Sequence, residues 1–157
     1  MSVIILRGIS GAGKSTWATQ HFPDAYVISA DNYFIRDGKY LWDANKLGEA
    51  HAACLLDFLT GFSDEESPLF VNKTPDTVVV VDNTNITVAE IAPYVAISAA
   101  YGEVSRVLTL RCDPEIAAVR NIHSVSLDTC RRKALQLISE ERHFPRWWDH
   151  TVVSVRE

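Results

Sequence analysis

No stretch of this 157-residue chain approaches the ~20 consecutive apolar residues of a membrane-spanning helix, so a membrane partner is not expected. The N-terminus runs straight into an apolar segment with no basic leader or cleavage site, which makes a cytoplasmic location the expectation. Cysteine is scarce: Cys54, Cys112 and Cys130 are far apart and odd in number, which supports neither a disulfide framework nor a zinc site. Each is expected as a buried or half-buried thiol. Positive charge is also short, with 15 Lys and Arg against 20 Asp and Glu and a formal net charge of −5. That balance excludes a general nucleic-acid binder and confines any nucleic-acid site to a local basic patch. Repeats and low-complexity tracts are absent. What remains is one domain over residues 1–157, 47% hydrophobic, long enough for one real core and too short for two.

The most informative stretch is IILRGISGAGKSTWA, Ile4 to Ala18. Gly8, Gly13, Lys14 and Ser15 satisfy G-x-x-x-x-G-K-[ST], and an apolar run from Val3 to Leu6 precedes them as a buried strand. Gly8, Gly11 and Gly13 permit backbone conformations that turn successive N–H groups inward as an anion nest. The nest would run through Ser10, Ala12 and Thr16. Lys14 adds charge for the outer phosphates and Ser15 a hydroxyl for Mg²⁺, while the helix that opens there points its positive end at the anion. ATP with Mg²⁺ is the expected cofactor pair.

Strand and helix signals then alternate to the end. Lys14 to His21 reads as a helix stopped by Pro23, and Ala25 to Ser29 as a short strand ending in SADNYF. A loop with Gly38 leads to a helix from Ala44 to Leu59 closed by Gly61, and Ser63 to Pro75 reads as a loop. Thr77 to Val81 has no polar face, as in a parallel sheet covered on both sides. Thr87 to Tyr101 is helical with Gly102 as its stop, Val104 to Leu110 a strand, and Asp113-Pro114 a cap that starts a helix to about Asn121. A last helix spans about Leu127 to Arg142, and Val152 to Val155 reads as a fifth strand. This order predicts an α/β fold in three layers, with a parallel sheet of about five strands and right-handed crossovers. Ligands in such sheets bind beyond the carboxyl ends of the strands. There the sequence sets the glycine loop, Asp31 and Asp82.

Phosphoryl transfer to a hydroxyl needs a proton acceptor, a metal bridging the phosphates, and positive charge over the γ-phosphate. Asp31 suits the first role, although Asp is also common as a turn residue. Asp82, after four valines, suits the metal site together with Ser15. Arg120 suits the third role, against the plainer reading of a cation favoured at a helix C-terminus. Arg131, Arg132 and Lys133 read mainly as a solvated face.

The stretches GISGAGKSTWA, ISADNYF, VVVDNTN and VRNIHSVS together resemble the polynucleotide kinase branch of P-loop kinases. They are similar also to small phage kinases that phosphorylate 5-hydroxymethyluracil within DNA. The resemblance implies a P-loop kinase fold with a C-terminal helical lid. It implies Asp31 as general base, Arg120 as a lid contact to ATP, and a DNA or polynucleotide hydroxyl as acceptor, in host cytoplasm if the chain is phage-encoded. Phe34, Arg36, Asn83, Asn85 and His123 are the further substrate-binding candidates. Phage-type polynucleotide kinases carry an Arg three residues after the base, where this chain has Phe34, with Arg36 as a substitute. An aromatic there suits a planar base and favours the base-hydroxyl acceptor over a 5′ end. Ser124 and Ser126 stand where relatives turn the lid on Gly and Pro.

A GTPase is disfavoured because NKTPD, Asn72 to Asp76, stands before the third strand rather than after the fourth. A small-metabolite kinase and a non-catalytic nucleotide-binding module stay open, and the oligomeric state is not specified beyond a possible monomer. HFPRWWDH, near the end, sets Phe144, Trp147 and Trp148 beside Arg142 and Arg146. These residues either stack on bases or pack the last helix onto the sheet.

Overall fold

The computed structural model describes residues 1–122 and 124–154, with Phe70 by its backbone only. Strand β1 (Ser2–Arg7) leads through the glycine loop into helix α1 (Lys14–His21), then β2 (Tyr26–Ile28). A 3-10 turn (Ala30–Phe34) opens a small hairpin of β3 (Ile35–Arg36) and β4 (Lys39–Tyr40). Helices α2 (Leu47–Ser63) and α3 (Pro68–Val71) precede β5 (Val78–Asp82), α4 (Val88–Ala100) and β6 (Val104–Arg111). Helices α5 (Pro114–Arg120) and α6 (Leu127–Glu140), a 3-10 turn (Glu141–His143) and β7 (Asp149–Ser154) complete the order.

The main sheet has five strands in the order β2-β5-β1-β6-β7, and every neighbouring pair is parallel. Side chains alternate across it. Val3, Ile5, Val79, Val81 and Val107 meet Ala50, Cys54 and Phe58 of α2 and Ile91 and Tyr94 of α4. Ile4, Leu6, Val80, Leu108 and Leu110 face α1 through Ala18 and Trp17. That three-layer arrangement is the expected one, and apolar burial on both faces drives it. A smaller cluster joins Ile9 and Ala12 of the glycine loop to Ala117 of α5 and to Cys130 and Leu137 of α6. It seats the C-terminal helical lid against the loop.

Several boundaries differ from expectation for local reasons. Gly61 does not close α2 but lies buried inside it, where an added Cβ would stand 2.7 Å from Leu69 Cδ2. Its smallness lets α3 approach, within what the sequence reads as a loop. The Gly38 loop is the turn of the β3–β4 hairpin, with Asp37 and Gly38 both left-handed at φ 51° and 73°. Such paired left-handed residues match the twist of a tight hairpin. The last strand begins at Asp149 rather than Val152, because it pairs with β6 from Arg106 to Arg111. Thr87, read from the sequence as the first helical residue, instead caps α4 in a reciprocal box with Glu90, while Asp113 caps α5 with Pro114 at its first turn, as the sequence indicates. Cys54 and Cys130 are buried and Cys112 half-buried, all as free thiols. Among the described residues no helix is long and apolar enough to cross a membrane.

Candidate active site

Beyond the carboxyl ends of β1, β2 and β5 lies a cleft of about 1180 Å³. Its floor is the glycine loop. Gly11 and Gly13 adopt φ of 81° and 84°, and the Gly8 N–H is tied to Thr84 O at 2.9 Å. An added Cβ on Gly11 would stand 2.0 Å from the Ala117 carbonyl oxygen, so the lid helix α5 rests on the loop at a point only glycine allows. A Cβ on Gly13 would meet nothing within 4 Å, so the loop opens to the cleft there. Ser10, Gly11, Gly13, Lys14, Ser15 and Thr16 all line that space. Gly8 and Ala12 sit beneath it, with Ala12 fully buried against the lid.

Lys14 is 9% exposed and donates from Nζ to the Gly8 and Ile9 carbonyls, each at 3.2 Å. Burial pushes its ammonium pKa down, while the charges of Asp82 and Asp31 pull the other way. The cation is parked on loop carbonyls at the floor of the cleft, where a bound phosphate would offer it a charged partner. Ser15 Oγ donates to Asp82 Oδ2 at 2.5 Å. Among the described residues no group of three or more His, Cys, Asp or Glu side chains is poised for a metal. A hydroxyl and a carboxylate are nonetheless the hard oxygen donors Mg²⁺ takes from protein when phosphate and water supply the rest. Ser15 and Asp82 therefore fit that ion.

The turn that carries Asp31 is locked to the end of β5. Ser29 Oγ donates to Asp82 O at 2.9 Å and accepts from the Asp31 N–H at 3.2 Å. Asn83 Oδ1 accepts from the Ala30 N–H at 2.9 Å, while its Nδ2 donates to Cys54 Sγ at 3.3 Å and Tyr94 Oη at 3.4 Å. Asn83 is 6% exposed with one edge on the cleft, so it holds the Asp31 turn as well as bordering the site. Tyr40 Oη donates to Asp31 Oδ1 at 3.0 Å, a partner the sequence does not announce because it comes from the hairpin. Trp42, Leu47, His51 and Glu90 complete this wall.

The lid contributes Arg120 and Lys133 to the same cleft, with Arg120 exposed. Arg131 instead pairs with Glu115 at 2.6 Å on the outer face, as expected of a solvated cation. His123 lies outside the described residues.

Two substrate candidates are corrected. Phe34 is 3% exposed and packs edge-on to Tyr33 and Tyr40 and against Trp42, so its ring serves the core. Asn85 is 1% exposed, sits at φ 44° and donates from Nδ2 to Leu6 O at 2.7 Å, which ties β1 to the turn after β5. Arg36 is exposed and borders a separate hollow of about 260 Å³ with Tyr33, Trp42 and Lys46. The aromatic tail divides: Phe144 and Trp148 pack on the core, whereas Trp147 is 83% exposed.

The sequence also hides Arg7. It is fully buried at the end of β1, pairs with Glu141 at 3.1 Å, and donates to Thr109 Oγ1 at 3.2 Å and Ile86 O at 2.9 Å. It reaches the Leu137 carbonyl of α6 at 2.5 Å and lies over the Phe144 ring at 4.9 Å. Desolvation pushes its pKa down and Glu141 restores part of it. This cation ties the strand before the glycine loop to the lid.

A parallel sheet, left-handed loop glycines, a buried loop lysine and a hydroxyl–carboxylate pair at the strand ends define a P-loop α/β domain. A family model described as an AAA domain matches residues 3–124, and the chain belongs to that family. NEDD4-binding protein 2 of Homo sapiens is 33% identical over 139 residues that take in 83% of this chain. The match spans 7% of that relative's own length. A gluconokinase from Sinorhizobium meliloti 1021 superposes with a TM-score of 0.52 over 99% of this chain and 83% of its own. At 14% identity that likeness shows the fold.

Proposed function

We propose that the protein is an ATP- and Mg²⁺-dependent kinase whose acceptor is a hydroxyl on nucleic acid. The preferred acceptor is the hydroxymethyl group of 5-hydroxymethyluracil in DNA, and a 5′-hydroxyl end is the next. The observation that carries the kinase reading is the meeting of Asp31, Lys14 and Asp82 in one cleft, although they are far apart in sequence. Asp31 takes the proton of the attacking hydroxyl as its oxygen bonds to the γ-phosphorus and the bond to the β-phosphate oxygen breaks. Lys14 and Arg120 offset the charge on the transferring group. Mg²⁺, held by Ser15 and Asp82, would draw charge from the phosphate oxygens.

The four-motif resemblance supports a nucleic-acid acceptor. A small-metabolite kinase is the second reading. It is favoured by the packing of half-buried Phe144 and Trp148 against the core, which leaves fewer aromatic faces of the tail for a base. One incubation separates the two. Labelled ATP is supplied with hydroxyl-ended oligonucleotides, DNA containing hydroxymethyluracil, and a metabolite mixture including gluconate. Label in DNA is expected, and label confined to a metabolite would overturn the acceptor. Label in neither, with ATP bound but not turned over, would leave a nucleotide-binding module.

A further inference from the structure

The backbone of Asp31 is pinned by Ser29 and its neighbour Ala30 by Asn83, but neither bond sets the direction of the Asp31 carboxylate. An aspartate has two side-chain torsions, and a base that rotates away from its acceptor loses the alignment on which proton transfer depends. The hairpin brings a donor to that carboxylate. Tyr40 Oη stands 3.0 Å from Asp31 Oδ1 and donates to it.

Tyr40 is itself held from several sides. Its strand pairs Ile35 with Tyr40, the Leu41 N–H donates to Phe34 O at 2.8 Å, and its ring lies 6.1 Å edge-on from the buried Phe34 ring. The two left-handed turn residues, Asp37 and Gly38, make the hairpin short. Burial, and then the charge of Asp31, push the phenol pKa well above its ordinary value, so the hydroxyl stays a donor wherever the enzyme works.

We propose that Tyr40 is a positioning residue for acceptor activation, its hydroxyl holding the Asp31 carboxylate in the orientation that takes the acceptor proton. The inference rests on Asp31 being the general base. It also assigns the β3–β4 hairpin a role: the hairpin carries the group that aims the base, at the edge of the wall where the acceptor would enter.

The test uses the full chain, labelled ATP, and whichever panel acceptor takes label, or water if none does. Tyr40→Phe keeps the ring against Phe34 and deletes only the hydroxyl. Turnover is expected to fall about tenfold or more, with the KM for ATP and the melting temperature held, because only alignment at the base is lost. Turnover within about twofold of the parent would overturn the proposal. A second measurement repeats the change in an Asp31→Glu background, where the carboxylate stands a methylene further out. There the same deletion should cost less than about twofold, whereas an equal loss in both backgrounds would show that Tyr40 acts elsewhere and overturn it. Asp31→Asn separates the two levels. If it turns over normally, the base assignment falls and Tyr40 with it. If it is inactive while Tyr40→Phe is normal, Tyr40 alone falls.

Discussion

Replacing Gly11 by alanine tests how the lid meets the glycine loop, and Gly13→Ala is its built-in control. Both residues are left-handed, at φ 81° and 84°, so each substitution carries a conformational cost of roughly 1–2 kcal/mol. Only Gly11 adds a collision, because its Cβ would stand 2.0 Å from a backbone oxygen of α5 that cannot rotate away. Forcing such a group apart costs a further 1–3 kcal/mol or so, by analogy with overpacked cores. For a chain of this size each kcal/mol lowers the melting temperature by about 2–4 °C. Gly11→Ala is therefore expected to melt roughly 2–12 °C below Gly13→Ala, and up to about 20 °C below the parent. Thermal unfolding followed by circular dichroism without nucleotide measures this. Equal melting temperatures for the two variants would refute the packing of α5 on the loop. Because Gly13 faces open space, its alanine variant should keep its fold while losing ATP affinity, which calorimetric titration reads directly.

Lys14→Ala is expected to abolish phosphoryl transfer and weaken ATP binding while leaving the melting temperature level or higher, since a desolvated cation is removed; near-normal turnover would sink the loop assignment. Arg120→Ala should cut turnover by about 10³-fold if the lid arginine offsets transition-state charge, and a loss below about tenfold would return it to a helix-end cation. Glu141→Gln leaves the fully buried Arg7 guanidinium without its carboxylate and should cost about 3–5 kcal/mol, read as a fall in denaturation midpoint, with Arg7→Met moving the same way by less because the Glu141 it leaves is partly exposed and still paired with Arg111. Trp147→Leu should leave stability unchanged within about 0.5 kcal/mol, whereas Trp148→Leu should lower it. If exposed Trp147 contacts DNA, its variant should raise the KM for DNA, and the parent's transfer to DNA should fall steeply as salt rises while hydrolysis without acceptor does not.

Much of this architecture is written in local pattern. The five consecutive β-formers from Thr77 to Val81, the cap at Asp113, and the glycines around Lys14 each act over a few residues, so each is legible without the rest of the chain. Those signals determine a parallel α/β domain with a phosphate-binding loop, and they place Asp31 and Asp82 at the ends of their strands. Tertiary structure alone decides what each side chain then faces. Phe34 and Asn85 sit in motifs that suggest substrate, yet packing turns one ring into the core and ties one amide to Leu6 O. Gly61 looks like a helix stop and is a contact point for Leu69. Tyr40 reaches Asp31 only because a hairpin folds back, and Arg7 is buried only because residues more than a hundred positions away supply Thr109, Leu137 and Glu141. Propensity and spacing describe a residue's neighbours along the chain. The burial of a charge and the aim of a carboxylate depend on neighbours in space, which exist only once the sheet has closed and the lid has come down.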